Sequence, residues 1–278
     1  MRPYTKQKRF CRPSSAKSAS ANFFAAGALP LACLDRVSVF ETLRVYGGRI
    51  FFWEKHLERL GESCRALDEA VPAGLKELVQ EALKESGHSD ALLRISIHWA
   101  GEDGRIVLFV TPFRAHPRAW YEKGVGLRTA VLRRPSPKAQ DTQIKVSQYT
   151  GAVLALLDGQ AVSGAHEWVF LGPGGTVAEG AVSNLFIVKG KRLLTPSVAS
   201  GILKGVTRGL VLDLAEKRGW PVVETELSRH EFYSADECFL TNTSSEVLPV
   251  VKLDERTIGG GKPGPWTRLL EQDFKKLR

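Results

Sequence analysis

Two stretches, IKVSQY at residues 144–149 and VAEGAVSNLF at residues 177–186, decide which fold this sequence is expected to have. In the first, Lys145 has apolar neighbours and precedes the apolar run 152–157, which predicts a lysine at the entrance to a buried segment. Such a lysine can lose its proton and form an imine with an aldehyde. In the second, Glu179 supplies a carboxylate that can keep a ring nitrogen protonated. Either stretch alone is weak evidence, but the pair in this order predicts one site.

The composition excludes several classes of protein. The 278 residues are 43% hydrophobic and 25% charged, as in a globular protein of one or two domains. The net charge is +9, and six of the basic residues lie in residues 1–34, which contain no acid. The rest of the chain therefore carries about +3 and shows no basic stripe with interleaved aromatic residues. We expect no nucleic-acid partner.

Cysteine usage and apolar runs bear on location. The four cysteines are scattered without metal-ligand spacing, which indicates free thiols, a cytoplasmic protein and no bound metal. No segment approaches the roughly 18 to 20 apolar residues that span a bilayer, so no membrane is expected. The basic, Ser-rich tail 1–34 resembles the start of a targeting segment, but its small-residue triplet falls inside the apolar run. A disordered extension that leads into a strand is the preferred interpretation.

Hydrophobic periodicity divides the chain after the tail into two α+β domains. Residues 35–116 are predicted to fold as a β-β-α-α-β-β unit, in which the strand Val37–Tyr46 pairs with Arg49–Trp53. Residues 112–124 lack periodicity and are interpreted as the connection between the domains. Residues 117–278 are predicted to form the larger domain. Its expected elements are helices over 146–159 and 208–219, and strands over 126–133, 167–171, 185–188, 222–226, 237–241 and 247–251.

Together the two diagnostic stretches resemble the class IV aminotransferases, the pyridoxal-phosphate (PLP) enzymes of fold type IV, over residues 37–278. The resemblance implies an α+β, two-domain fold like that of D-amino-acid aminotransferase. It implies a small N-terminal α+β domain, a larger C-terminal domain resembling an α/β barrel, and a homodimer. It further implies that Lys145 is the Schiff-base lysine, which also shuttles the α-proton of the substrate. Glu179 matches the carboxylate that pairs with the pyridinium nitrogen.

Two segments are expected to bind the phosphate of the cofactor. GILKGVTR at residues 201–208 opens a predicted helix, and free amides at a helix N-terminus attract phosphate. In the resemblance this segment forms half of a phosphate cup, carried here by Val206 and Thr207. The second half follows a predicted strand, where Thr243 and Ser244 can donate hydroxyl and amide hydrogens.

Four further residues complete the candidate site. Arg59, in the motif HLERL, matches the family's phosphate-binding arginine, and a bidentate guanidinium suits a phosphate dianion. Tyr149 lies where many family members place a hydroxyl near the phenolic oxygen of the cofactor. Arg94 and His98 alternate onto one face of a predicted strand, which can contact a substrate carboxylate or simply face solvent.

The motifs leave the reaction open. An aminotransferase that acts on an amino acid and a 2-oxo acid is favoured. The alternatives are an aminodeoxychorismate lyase, which releases pyruvate and 4-aminobenzoate, and a non-catalytic binding protein on the same fold. The spacing from Lys145 to Tyr149 resembles the D-amino-acid transaminase and lyase branches, because branched-chain transaminases usually carry one residue more. The segment before Phe40 is shorter than in most family members, and it usually lies near the substrate pocket and the dimer contact.

Overall fold

The computed structural model describes residues 22–25, 38–100, 103–147 and 165–278. These residues form two compact units. The first contains the described residues up to Arg114 together with 144–147, and the second contains the remainder. The domain boundary predicted at residue 116 stays a prediction. The sequence assigned Lys145 to the larger domain, whereas its segment belongs to the first unit.

The first unit is an antiparallel sheet with two helices, and its strands run in the order β1-β5-β4-β2-β3. Its apolar core joins alternate residues of β2 and β4, such as Leu43 and Ile95, to helix residues such as Leu60 and Val79. The elements are β1 (Asn22–Ala25), β2 (Ser38–Tyr46), β3 (Arg49–Ile50), α1 (Trp53–Arg65), α2 (Leu75–Ser86), β4 (Ala91–Ala100) and β5 (Asp103–Pro112).

Most of the elements predicted for this unit are confirmed, but the hairpin partner of β2 is shorter than predicted. The extension of that strand to Trp53 was wrong, because β3 ends at Ile50 and α1 begins at Trp53. Phe52 adopts a left-handed conformation with φ 47°, which turns the chain out of the strand. Trp53 then packs into the core as the first residue of α1.

The second unit contains a mixed sheet whose strands run in the order β11-β10-β9-β12-β13-β6-β7-β8, with β14 paired to β13. A one-turn 3₁₀ helix covers Val198–Ser200. The strands are β6 (Val125–Arg133), β7 (Glu167–Leu171), β8 (Val177–Gly180), β9 (Asn184–Lys189), β10 (Arg192–Pro196), β11 (Val222–Thr225), β12 (Glu237–Asn242), β13 (Glu246–Leu253) and β14 (Arg256–Thr257). The helices are α3 (Arg118–Lys123), α4 (Val206–Lys217), α5 (Arg229–Tyr233) and α6 (Pro265–Lys275).

The two ends of this sheet meet. β8 lies at one end of the strand order and β11 at the other. Leu227, just after β11, forms an antiparallel bridge with Val177 of β8, and the Val177 N–H donates to the Leu227 carbonyl at 2.7 Å. The sheet is therefore curled, as a barrel-like domain requires.

Several elements of this unit were not predicted from the sequence. The predicted connection 112–124 contains α3, and α6 was also not foreseen. At the start of α6, Glu237 accepts hydrogen bonds from the Trp266 and Thr267 amides at 3.0 and 2.8 Å. A carboxylate from a distant strand thus satisfies the free amides of this helix, which local sequence does not show.

Two sequence predictions fall partly outside the described residues. The helix predicted over 146–159 is one, and its first residue, Val146, forms a β-bridge with Val39. The tail, residues 1–34, is the other, since only the four residues of β1 are described. Within the ranges that the structure describes, no helix is long and apolar enough to cross a membrane.

Candidate active site

The backbone around Lys145 lies along the free edge of β2. The Phe40 N–H donates to the Lys145 carbonyl at 2.9 Å, and the Ser147 N–H donates to the Ser38 carbonyl at 2.7 Å. The Lys145 N–H donates to the buried hydroxyl of Ser63 on α1 at 3.1 Å. β3 pairs with β2 only near the hairpin, which leaves this edge for residues 145–147. Two hydrogen bonds therefore hold the backbone of Lys145, and a third holds that of Ser147.

The side chain of Lys145 lies over an aromatic ring. Its Nζ is 4.4 Å from the centroid of the Phe40 ring, and the guanidinium carbon of Arg94 is 3.7 Å from the same centroid. Cations at such distances are attracted by the ring quadrupole. The first unit thus places Lys145 and Arg94, one of the two candidate substrate-binding residues, against the same Phe40 side chain.

Arg59 is held in a buried ion pair. Its Nε and Nη2 donate to the two oxygens of Glu41 at 2.7 and 2.8 Å, and His56 Nδ1 contacts the same carboxylate at 2.8 Å. Nδ1 must carry the proton, because the carboxylate only accepts. The sequence offered a surface arginine paired with a glutamate as the alternative for Arg59, but the residue is 8% exposed. Glu41 and His56 were not singled out, since their contacts with Arg59 arise from packing.

The ion pair shifts the pKa values of its members. Burial raises the pKa of Glu41, but the Arg59 charge and the hydrogen bonds from His56 and Arg59 outweigh burial and lower it from 4.5 to about 2. Burial lowers the pKa of His56 below 6.5, against the opposing effect of Glu41. At neutral pH the cluster therefore holds an ionised carboxylate and a neutral imidazole.

Acidification is expected to destabilise the fold in two stages. Below pH 6.5 His56 becomes protonated in the unfolded chain but stays neutral in the folded protein. The free energy of unfolding therefore begins to fall below this pH. Between pH 4.5 and about 2 the unfolded chain protonates Glu41 while the folded protein keeps it ionised. This second stage removes about 3 kcal/mol. Urea unfolding at several pH values, followed by tryptophan fluorescence, measures both stages.

The matched variant for this prediction is Glu41→Gln. It is less stable at pH 7 but its stability should fall less between pH 5 and pH 3 than that of the wild type, since glutamine does not titrate. Glu62, an exposed residue of α1, provides the control. Glu62→Gln should leave the pH dependence of the free energy of unfolding the same as in wild type. Parallel curves for wild type and Glu41→Gln would contradict the assignment.

Glu179 lies on β8 and is 6% exposed, so the solvated turn residue considered from the sequence is excluded. One oxygen accepts from the Leu203 N–H at 2.9 Å and from Asn184 Nδ2 at 3.2 Å. The other accepts from the guanidinium of Arg134. These donors stabilise the ionised carboxylate and fix its orientation. Arg134 carries no local sequence signal, because it lies far from Glu179 along the chain.

The segment before α4 is connected to Glu179 through Asn184. Asn184 Nδ2 also donates to the Leu203 carbonyl at 2.9 Å. A Cβ on Gly205 would lie 2.1 Å from Asn184 Oδ1, so only glycine fits there. Gly205 is the N-cap residue of α4 and has no side chain to cap the helix, whose first two amides belong to Val206 and Thr207. This donor set, beside a glycine that a side chain cannot replace, fits a phosphate group.

The second predicted half of the phosphate cup is a turn after β12. Asn242 Oδ1 accepts from the Ser244 N–H at 2.9 Å, the Ser244 hydroxyl at 3.1 Å and the Ser245 N–H at 2.7 Å. Both donors of Ser244 are therefore satisfied internally, and Thr243 is the first residue of the turn. Thr241 Oγ1 is buried and has no hydrogen-bond partner within the described residues.

The remaining candidates are His98 and Tyr149. His98 is half-buried at the end of β4, opposite Ser38 of β2. Tyr149 lies outside the described residues. Among the residues that the structure describes, no group of three or more His, Cys, Asp or Glu is placed to hold a metal ion.

Comparisons with known proteins agree with this arrangement. The family described as amino-transferase class IV matches residues 38–253. The chain is 32% identical over 262 residues to the branched-chain-amino-acid aminotransferase of Pseudomonas aeruginosa, covering 87% of this chain and 84% of the relative. A solved structure described as a putative branched-chain amino acid aminotransferase from Thermotoga maritima has a TM-score of 0.79 at 30% identity, covering 90% of each chain. The Escherichia coli enzyme has a TM-score of 0.79 at 29% identity, covering 87% and 85%.

One further solved structure bears on the cofactor. It is a branched-chain amino acid aminotransferase with pyridoxamine 5'-phosphate, and it has a TM-score of 0.83 at 27% identity, covering 93% of this chain and 94% of that chain. A relative of the same fold therefore holds the amino form of the cofactor that the sequence predicts.

The family match extends from the start of β2 to the end of β13 and includes both diagnostic stretches. The structural neighbours share the α+β fold expected from the resemblance. The chain belongs to the class IV aminotransferases, the PLP-dependent transaminases of fold type IV.

Proposed function

We propose that this enzyme transfers the amino group of branched-chain amino acids to 2-oxo acids, and that the residues identified from the sequence hold its cofactor. The relatives in P. aeruginosa and E. coli, both named branched-chain amino acid aminotransferases, support this substrate class. The general reaction between an amino acid and a 2-oxo acid follows from membership of the family.

One observation carries the proposal: a single side chain connects a buried carboxylate to a helix N-terminus. Asn184 donates both to Glu179 and to the Leu203 carbonyl, and Leu203 precedes the start of α4 by three residues. Glu179 is proposed to pair with the ring nitrogen of PLP, while the amides of Val206 and Thr207 donate to its phosphate. Asn184 would then hold Glu179 and the start of α4 at a fixed distance from each other.

The other assignments rest on the resemblance. Thr243 and Ser244 are proposed to donate to the phosphate, together with Arg59, whose guanidinium Glu41 orients. For Ser244 this requires its N–H or its hydroxyl to exchange Asn242 Oδ1 for the phosphate. Tyr149 is proposed to lie near the phenolic oxygen of the cofactor. Arg94 and His98, both on β4, are proposed to contact the substrate carboxylate.

The residues of the chain divide the chemistry among them. PLP, when bound, supplies an electron sink for the α-carbon of the substrate. Lys145 is proposed to bond covalently to the cofactor and then, once released, to move the α-proton as general base and acid. Its backbone is fixed to β2 and α1, which restricts the arc that its amine can reach. Glu179 holds a negative charge that keeps the ring nitrogen protonated.

The lyase reaction is not favoured, because the relatives reported above are transaminases. The sequence associated the short spacing from Lys145 to Tyr149 with the D-amino-acid transaminase and lyase branches. That spacing occurs here in a chain similar to branched-chain transaminases, so it does not by itself assign the substrate.

A homodimer and a cytoplasmic location belong to the same proposal. The family resemblance supports the dimer. Among the described residues, Cys64 and Cys238 are buried free thiols, which is consistent with a reducing compartment.

A substrate panel tests the proposed reaction. Purified holoenzyme is incubated with L-leucine, L-alanine, D-alanine or aminodeoxychorismate, each with and without 2-oxoglutarate. We expect L-leucine to be converted only when the acceptor is present. Its kcat/KM should exceed that of L-alanine by at least about 10-fold, since a pocket contributes roughly this factor or more per methylene. Lys145→Ala protein serves as the blank. Pyruvate released from aminodeoxychorismate without an acceptor would overturn the proposal.

A further inference from the structure

Glu167, on β7, is a buried carboxylate that the proposed reaction does not use. It is 7% exposed. Its Oε1 accepts hydrogen bonds from the Val182 N–H and from the Ser183 hydroxyl, each at 2.8 Å. Both donors belong to residues 181–183, the turn that joins β8 to β9 directly after Glu179 and Gly180. Glu167 therefore anchors the turn next to the proposed ring-nitrogen partner.

Gly180 brings the two carboxylates close together along the backbone. A Cβ on Gly180 would lie 2.3 Å from Glu167 Oε1 and 2.3 Å from Ser183 Oγ, so no side chain fits. The Gly180 N–H donates to the Ser183 carbonyl at 2.7 Å. The carboxylate of Glu167 thus packs directly on the backbone of the residue that follows Glu179.

We propose that Glu167 is a positioning residue for Glu179: it fixes the 181–183 turn and places a second negative charge behind the ring-nitrogen partner. The inference rests on the proposed function, in which Glu179 faces the positively charged ring of PLP. A charge behind Glu179 favours a positive ring in front of it, so an ionised Glu167 strengthens cofactor binding. A neutral residue in its place keeps the turn but loses this attraction.

Glu167 titrates in the range where such a charge can be switched. Burial raises its pKa to about 7, the hydrogen bonds from the turn oppose this, and the charge of Glu179 raises it further. From β6 the residue paired with Glu167 is the apolar Leu127. From β8 the facing residue is Gly180. The charge of its neighbour Glu179, which Arg134 partly neutralises, acts from the same strand, and the turn contributes the hydroxyl of Ser183. The charge of Glu167 is therefore present at pH 8 and mostly absent at pH 6.

Cofactor affinity measured against pH tests the inference. PLP is titrated into apoenzyme between pH 6 and pH 8, and the Kd of Glu167→Gln is divided by that of wild type at each pH. Protonation of the cofactor and of Lys145 affects both proteins alike and cancels in the ratio. We expect a ratio near one at pH 6, where glutamine resembles the protonated acid. At pH 8 it should rise to about 10, as expected for losing one charged partner.

A second variant, Ser183→Ala, should change the pH at which Glu167 ionises. The Ser183 hydroxyl lowers the pKa of Glu167, so Ser183→Ala should raise it. In the Ser183→Ala background, the Kd of the protein that also carries Glu167→Gln is divided by the Kd of Ser183→Ala alone. This ratio should rise at a higher pH than the corresponding ratio in the wild-type background. Were Glu167→Gln not to fold, the pH profile of PLP affinity for Ser183→Ala would still have to shift upward relative to wild type.

The outcomes separate this inference from the proposed function. A purely structural role would lower the melting temperature of Glu167→Gln apoenzyme while the Kd ratio stayed constant with pH, and that result would overturn the inference alone. Wild-type apoenzyme that fails to bind PLP at any pH would overturn the proposed function and this inference together. Glu216→Gln, at an exposed glutamate on α4, is the control and should give a ratio near one throughout.

Discussion

Replacing Lys145 with alanine is expected to lower kcat by about 10⁴-fold or more, the upper end of what a positioned general acid and base contributes. The variant should also lose the visible absorbance band of lysine-bound PLP, because no other amine is proposed to bond to the aldehyde. The fold should persist, since the Lys145 side chain is half-buried and its hydrogen bonds to β2 and α1 come from the backbone. Steady-state kinetics and an absorbance spectrum at neutral pH check both expectations.

Lys84→Ala provides the matched control for this loss. Lys84 is an exposed lysine on α2 of the same unit, so its removal should change neither kcat nor the absorbance band. A visible band that persists in Lys145→Ala would show that another lysine holds the cofactor. Residual activity restored by added methylamine would support a role for Lys145 in proton transfer, because a free amine can replace the missing base.

Replacing Glu179 with glutamine is expected to lower kcat by about 10²-fold to 10³-fold, as for the loss of one preorganised charge at a reacting group. In the proposed site, glutamine at this position would still contact the ring nitrogen of PLP but would carry no charge to keep it protonated. The amide also leaves the guanidinium of Arg134 without its anionic partner. Kinetics with saturating PLP measure the effect, and the absorbance band should change position without disappearing.

Glu255→Gln distinguishes this effect from the loss of any ion pair. Glu255 pairs with Arg128 at the surface of the same unit, and exposed pairs contribute about 0–1 kcal/mol to stability. Its variant should keep wild-type kcat. An unchanged kcat in Glu179→Gln would remove Glu179 from the proposed site, whatever its effect on stability.

The candidate site shows where prediction from sequence reaches its limit. Lys145 and Glu179 were found because their neighbours in sequence form recognisable patterns. The residues that orient them were not, since Ser63 and Arg134 reach them only through folding. Glu167 was assigned to a strand, but its role as an anchor of the 181–183 turn depends on β7 and β8 lying side by side.

The same limit applies to the fold. Long periodic elements such as β2 and α2 were predicted, because their alternate or helical apolar spacing reports directly on a buried face. α6 was missed although its sequence carries local signals, a proline in the first turn and amphipathic spacing. What the local sequence does not show is that Glu237, about thirty residues earlier, accepts from its first amides. β3 was overextended, because Phe52 adopts a left-handed conformation and Trp53 packs into the core as the first residue of α1.

The sequence by itself determined the family and the cofactor and predicted Lys145 as the reactive lysine, because these depend on residue types at fixed local spacing. The tertiary structure decided how the charges are held. Arg59 is fixed by Glu41, and Glu179 is fixed by Asn184 and the Leu203 amide. Hydrogen bonds of this kind join residues that are distant in the chain, and their energies depend on burial and geometry, which local sequence does not encode.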